Sequence, residues 1–377
     1  MSNLSPWRSH QLLLRVALGP AAEASTRWDE WKSLGGDLEA IAGREHALLP
    51  VIAATFANHQ IDVPERARLQ GIYRRTWYRN RLLAAEAAAA IGVLAGASIP
   101  AMLLKGAALL AAPGSDYGAL HMGDVDLLVP REHAHAAFRL LRAEGWRPTR
   151  EYRSNFSAGF RYEHGVALQR KPGLALDLHW AAVPIDRGPG PDDGLWARSR
   201  PVDFAGLAVR VPSTEETLLL VVANRLRDRR MNPRWVADAV QIIAGDSAFD
   251  WKRFDQVAAE RRLRAAIAPS LRYLANDFGV AIPASLIESM FGAGDTTLAQ
   301  RLQRTGISGR TMLRRRTATL ASRYAQAAQS WPAWRRPLEI GGFLRHALHV
   351  KRRRELPRAL WRWLSGGQEK AAARGRR

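Results

Sequence analysis

The rhythm of apolar and polar positions changes three times along the chain. From about residue 10 to 95, apolar side chains recur at helical spacing. Trp28, Trp31 and Leu34 precede a stretch rich in Ala and Leu from Leu38 to Phe56. Pro64 fits the first turn of a long helix running from about Glu65 to Leu94, with Gly96 as its stop. Arg68, Arg74, Arg75, Arg79 and Arg81 give that helix a basic face, with Tyr73, Trp77 and Tyr78 interleaved. Between 99 and 212 the period falls to two, which predicts strands over 99–104, 124–129, 166–170, 174–180, 202–204 and 207–211. Helices are expected over 106–112 and 131–143, the second ended by Gly145. Lys171-Pro172-Gly173 and Ala205-Gly206 read as hairpin turns.

Helical spacing returns from 213 to 290. Ser213 and Glu216 form a predicted capping box, Ser213 as N-cap and Glu216 reaching back, ahead of the apolar run Leu218 to Ala223. Pro233 is expected to start the helix that carries Asp238. Residues 299–377 are basic and helical in parts, and Gly366 to Arg377 is expected to be disordered. The pattern predicts an α/β (α+β) protein. An N-terminal helical region spans 1–95, a small mixed-sheet core 96–212, a helical region packed on that core 213–298, and a basic C-terminal helical region 299–377. Ala87 to Leu104 carries no charge across 18 residues, but it is alanine-rich and interrupted by Gly96, Ser98 and Pro100. It reads as a helix end, a turn and a strand, not as a membrane span.

Composition narrows the class. With 377 residues and 47% hydrophobic content, the chain is long enough for two or three packed domains. It has no cysteine, which excludes disulfides, thiolate metal sites and a cysteine nucleophile. The first residues, Met1 to Arg8, lack a signal-peptide layout, so a cytoplasmic location is expected. The net charge of +21 is segregated: residues 299–377 hold 20 Lys and Arg against three Glu, a balance of +17. Arg314-Arg315-Arg316 and Lys351-Arg352-Arg353-Arg354 fit solvated faces, a nucleic-acid surface, or an anionic membrane surface bound peripherally. Leu348, Leu360, Trp361, Trp363 and Leu364, set among them, favour a binding role.

The chemistry concentrates in three short segments. In Gly123-Asp124-Val125-Asp126-Leu127-Leu128-Val129, strand geometry sends Asp124 and Asp126 to one face and Val125, Leu127 and Val129 to the other. Two adjacent carboxylates repel, and a hard divalent cation such as Mg²⁺ is the usual compensation. In Leu174 to Trp180, Leu174, Leu176, Leu178 and Trp180 make an apolar face with Asp177 and His179 opposite. Upstream, a strand ends at Lys105-Gly106, where glycine lets backbone approach a phosphate. His121 and His179 have no metal-ligand spacing to a second histidine and read as structural or exposed, while Asp238 reads as a helix-packing or arginine-pairing acid. No P-loop, Gly-x-Ser-x-Gly or His-Glu-x-x-His competes.

A strand ending in Lys105-Gly106, an Asp124-x-Asp126 strand and a lone Asp177 on a later strand resemble the DNA polymerase β-like nucleotidyltransferase superfamily. Leu103 to Leu109, Gly123 to Val129, Asp177-Leu178-His179-Trp180 and Trp235-Val236-Ala237-Asp238 are similar to its uncharacterised bacterial nucleotidyltransferase group, over roughly residues 10 to 300. The resemblance implies a transferase that binds an NTP, ATP included, and moves a nucleoside monophosphate to an acceptor with release of pyrophosphate. It implies two Mg²⁺ ions on Asp124, Asp126 and Asp177, with Lys105, Gly106 and His121 at the phosphates. His121 stands where the group often has arginine. The acceptor it allows is a small molecule, peptide, protein or tRNA. A second reading is an inactive nucleotidyltransferase fold that docks on RNA or a membrane through residues 299–377.

Overall fold

The computed structural model describes residues 5–41, 44–149, 156–188, 190–226, 232–308, 311–350 and 352–365. Four helices open the chain: α1 (Pro6–Leu18), α2 (Ala21–Ser33), α3 (Leu49–Asn58) and α4 (Arg66–Gly96). Among the described residues seven strands follow, β1 (Met102–Leu104), β2 (Asp124–Leu128), β3 (Arg147–Pro148), β4 (Gly165–Lys171), β5 (Leu174–His179), β6 (Arg200–Phe204) and β7 (Leu207–Val211). Among them lie α5 (Lys105–Leu110), α6 (Ala134–Ala143), α7 (Phe156–Tyr162) and α8 (Asp193–Arg198). The chain continues through α9 (Thr214–Arg225), α10 (Arg234–Ala244), α11 (Trp251–Glu260), α12 (Arg264–Phe278) and α13 (Ala284–Gly292). It closes with α14 (Leu298–Ser308), α15 (Met312–Ala328), α16 (Arg336–Ala347) and α17 (Leu356–Ser365).

The strands form one mixed sheet in the order β3-β4-β5-β2-β1-β7-β6. Two pairs are hairpins. Gly173 turns β4 into β5 at φ +76°, and Ala205-Gly206 turn β6 into β7 at φ +56° and +80°. Positive φ at two successive residues is the turn geometry that matches the twist of paired strands. The pairs that place the chemistry are long-range: β2 lies parallel to β5 and antiparallel to β1, and β1 lies parallel to β7. Val125, Leu127, Leu176 and Leu178 are buried on the face that meets α4 and α6. Each such side chain contributes roughly 1.5–3 kcal/mol by leaving water. The opposite face holds the acids.

A second hydrophobic cluster joins α1–α3 to α9–α13 and reaches the sheet at Met102, Leu104 and Leu128. The predicted cap at Ser213 forms, with Ser213 Oγ accepting from Glu216 N at 3.2 Å. The other half of the box does not. The Glu216 carboxylate is buried and pairs with Arg198 at 2.6 Å, because a buried charge is held better by a guanidinium than by one backbone N–H.

The basic C-terminal region docks on the core through specific polar contacts. Glu339 of α16 accepts from Tyr162 at 2.7 Å, Arg161 at 3.0 Å and Arg335 at 2.9 Å. Tyr162 stacks edge-on against Trp331 and Phe343. Arg187 donates to Tyr162 O and Gln326, tying the loop after β5 to α15. Lys351 and the segment 366–377, for which disorder was expected, lie outside the described residues. Among the described residues no helix is long and apolar enough to cross a membrane.

Candidate active site

The parallel register sets Asp126 directly beside Asp177, and Leu128 beside His179. Alternation then brings Asp124, Asp126, Asp177 and His179 to one face, as the sequence pattern predicts for each strand separately. A ligand atom from each of Asp126, Asp177 and His179 lies within 4.8 Å of the others, a group that could hold a metal ion. His179 therefore departs from its reading as a bystander. Its membership was visible only as an i, i+2 partner of Asp177, and the signal became specific once β5 was seated beside β2.

Two cationic or donor groups converge on the same acid. Lys105 Nζ donates to Asp126 Oδ1 at 2.6 Å, and His179 Nε2 lies 2.8 Å from that oxygen. Burial alone would raise the Asp126 carboxyl. The Lys105 ammonium and the His179 bond overcome it and hold the group well below the usual carboxylate range. Asp124 goes the other way. Burial and then the charges of Asp126 and Asp177 push it up to about 6. Lys105 reaches Asp126 from a left-handed backbone conformation, φ +51°, uncommon for a residue with a side chain and frequent at functional sites.

These residues sit in a cleft of about 1000 Å³ that also includes Gly106 and His121. All six residues expected at the nucleotide and metal thus line one cavity. At Gly106 a Cβ would lie 3.1 Å from the Met122 sulfur and 3.7 Å from Arg234 Nη2, so the turn is open because residue 106 has no side chain. Arg79 of α4 donates to the Met122 and Gly123 carbonyls at 3.4 and 3.0 Å and fixes the loop that delivers Asp124.

His121 enters the cleft as a neutral imidazole. Burial, then the charges of Arg234, His46 and Arg79, lower it to about 4. Adding a guanidinium there would bury one more positive charge beside those of Arg234 and Arg79. His121→Arg is accordingly expected to destabilise the fold at neutral pH by on the order of 1–3 kcal/mol. Thermal melts of the two proteins check this, and an unchanged or raised Tm would show that position 121 tolerates a cation.

Sequence reasoning missed a further set. Asn224 and Arg225 of α9, Arg234 of α10 and Asn232 just ahead of α10 line the cleft. Asp238 pairs with Arg234 at 3.1 Å, as its reading as an arginine-pairing acid anticipates. From the far side come Glu163 and, from the C-terminal region, Arg323, His346 and His349. Glu163 is largely enclosed and accepts from Arg323 and His346 at 3.0 Å each, which holds its carboxyl at about 2 against the effect of burial. Part of the basic region is thus a wall of the cleft.

Acids on neighbouring parallel strands, facing a glycine turn at the end of a third strand, define a nucleotidyltransferase-type core. The chain belongs to the family described as uncharacterised nucleotidyltransferase, whose model matches residues 40–279. No curated protein and no solved structure matches the chain.

Proposed function

We propose that the protein transfers a nucleoside monophosphate from an NTP to a hydroxyl-bearing acceptor and releases pyrophosphate. The pairing of Asp126 with Asp177 across parallel strands carries this reading, with Asp124 one pleat away on the same face. The donor set suits a hard divalent cation: carboxylate oxygens predominate, and Asp124 is pushed up by burial and then by neighbouring negative charge that Lys105 does not fully offset. Asp124, Asp126 and Asp177 would hold two Mg²⁺. Bound there, the ions would screen the triphosphate and lower the pKa of the attacking hydroxyl. The chain's own groups do the rest. Gly106 admits the phosphates close to the backbone, Lys105 holds Asp126 in place, and Asp177 accepts the hydroxyl proton. The new acceptor oxygen–phosphorus bond forms as the bond between the α- and β-phosphates breaks in line with it, and the electron pair leaves with pyrophosphate.

The test is incubation of the full chain with each α-labelled NTP, Mg²⁺ or Mn²⁺, and a cell extract as acceptor source. Label is expected to move to an acceptor with at least one NTP. No transfer with any NTP and either metal would sink the reading.

A role in polyanion binding is a separate proposal for the C-terminal region. Arg352, Arg353 and Arg354 are exposed, and Trp361 is 69% exposed on α17 beside them. Replacing the three arginines with Glu is expected to remove the salt-dependent part of binding to RNA or to anionic vesicles, because counterion release dominates such contacts. Filter binding and vesicle sedimentation across a salt series read this out. Binding as strong as the parent's on both polyanions would leave the run as a solvated face.

A further inference from the structure

We propose that Arg234, held in position by Asp238, is the side chain that grips the triphosphate at the Gly106 turn. The inference rests on the nucleotidyltransferase reading and names a residue which that reading does not supply. α10 begins at Arg234, and its first turn is fixed by Asn232 Oδ1, which accepts from Arg234 N at 3.1 Å. One turn on, Asp238 Oδ1 accepts from both Arg234 Nε and Nη2 at 3.1 Å. The pair is largely enclosed, with side chains 12% and 16% exposed. A guanidinium offers five donors, so the carboxylate fixes its plane and leaves three for a ligand.

One distance places that group at the turn, and one electrostatic effect agrees with it. Arg234 Nη2 lies 3.7 Å from the point a Cβ on Gly106 would occupy, so the guanidinium and the bare glycine backbone border one gap. Arg234 is also the charge that acts most strongly on His121, the other residue expected at the phosphates. Among the described residues, the other cations lining the cleft have partners elsewhere: Lys105 is bonded to Asp126, Arg225 stacks over Trp235 at 5.4 Å, and Arg323 is bonded to Glu163. His121 carries no charge at neutral pH. α5 is only six residues long and offers little helix dipole. A fixed planar fork beside a glycine gap matches the oxygens of a polyphosphate, which it can bind in bidentate fashion. Asp238 touches no substrate in this arrangement; it is a positioning residue.

Inorganic tripolyphosphate with Mg²⁺ is the probe, titrated calorimetrically into the full chain beside AMP with Mg²⁺ and the four NTPs. Arg234→Gln is expected to weaken tripolyphosphate and NTP binding by roughly 10- to 100-fold, the loss of a charge-assisted contact, and AMP binding by less than about threefold. Arg234→Lys should recover part of it. Asp238→Asn should weaken tripolyphosphate binding by about tenfold while Arg234 is still present, a loss that a purely structural acid would not confine to the polyphosphate. Because Arg234→Gln leaves Asp238 enclosed and unpaired, an Arg234→Gln/Asp238→Asn protein with a wild-type Tm supplies the folded control. Polyphosphate affinity unchanged in that control, or AMP and tripolyphosphate weakened equally, would overturn the inference. Failure of the parent protein to bind tripolyphosphate or any NTP would instead remove the nucleotidyltransferase reading beneath it.

Discussion

Asp126→Asn is expected to reduce nucleotidyl transfer by on the order of 10³-fold or more and to destabilise the chain at the same time. Asp126 is the hub of the site. It is 9% exposed, it receives Lys105 and His179 on one oxygen, and it stands beside Asp177. The amide keeps the shape and removes the charge. A metal would lose its central carboxylate, and the Lys105 ammonium would lose its counter-charge in an enclosed place. The stability cost is about 1–3 kcal/mol. Its pH dependence follows from the direction of the shift. A carboxyl held below its ordinary value stabilises the fold above the unfolded value of 3.8, and that contribution fades as pH falls toward the folded value. The parent and the variant should therefore differ in Tm at neutral pH and converge in acid. Turnover with α-labelled NTP and melting curves at several pH values measure both effects. Full transfer activity in a folded Asp126→Asn protein would show that the chemistry lies elsewhere.

The strands that carry the acids were legible because their alternation is strict. Val125 and Leu127 on β2, and Leu174, Leu176 and Leu178 on β5, leave few ways to orient Asp124, Asp126 and Asp177. Lys105-Gly106 was legible for a similar reason, as the end of an apolar run; the strand itself is only Met102–Leu104, since Pro100 cannot donate to a ladder. What local pattern cannot contain is which strand lies beside which. The parallel neighbours β2 and β5 are separated by α6, β3, α7 and β4, and only that pairing turns His179 from a lone histidine into part of the acid group. Arg234 arrives at Gly106 from well over a hundred residues downstream, a contact without any sequence period. A charge balance of +17 for the last segment is blind to pairing: Arg323 is bonded to Glu163, and Arg335 to Glu339, where the segment closes on the core. The two-residue β3 and the short α7 fell below the length at which periodicity identifies an element.

Asp124→Asn, two residues from Asp126 on the same strand face, is expected to do the opposite to stability. Burial and the charges of Asp126 and Asp177 raise the Asp124 carboxyl from 3.8 to about 6. Above that value the folded, metal-free chain holds an ionised group against its neighbours, and the unfolded chain does not. As pH falls through the window between about 6 and 3.8 the folded state takes up a proton first, so stability rises, and below it the two states are equally protonated. A neutral amide removes the penalty from the start. The variant should therefore melt a few degrees above the parent at about pH 7.5, from a gain on the order of 1–3 kcal/mol, and lose its advantage by about pH 4. Divalent metal gives the second arm. Mg²⁺ or Mn²⁺ should raise the Tm of the parent at about pH 7.5, because an ion that binds only the folded state offsets the same repulsion. It should raise the variant's much less. A gain that persists unchanged in acid would assign the effect to packing, and a variant less stable at every pH would show Asp124 to be an ordinary hydrogen-bonded acid. An equal metal response in both proteins would take Asp124 out of the ion's coordination shell and leave Asp126, Asp177 and His179 to hold it alone.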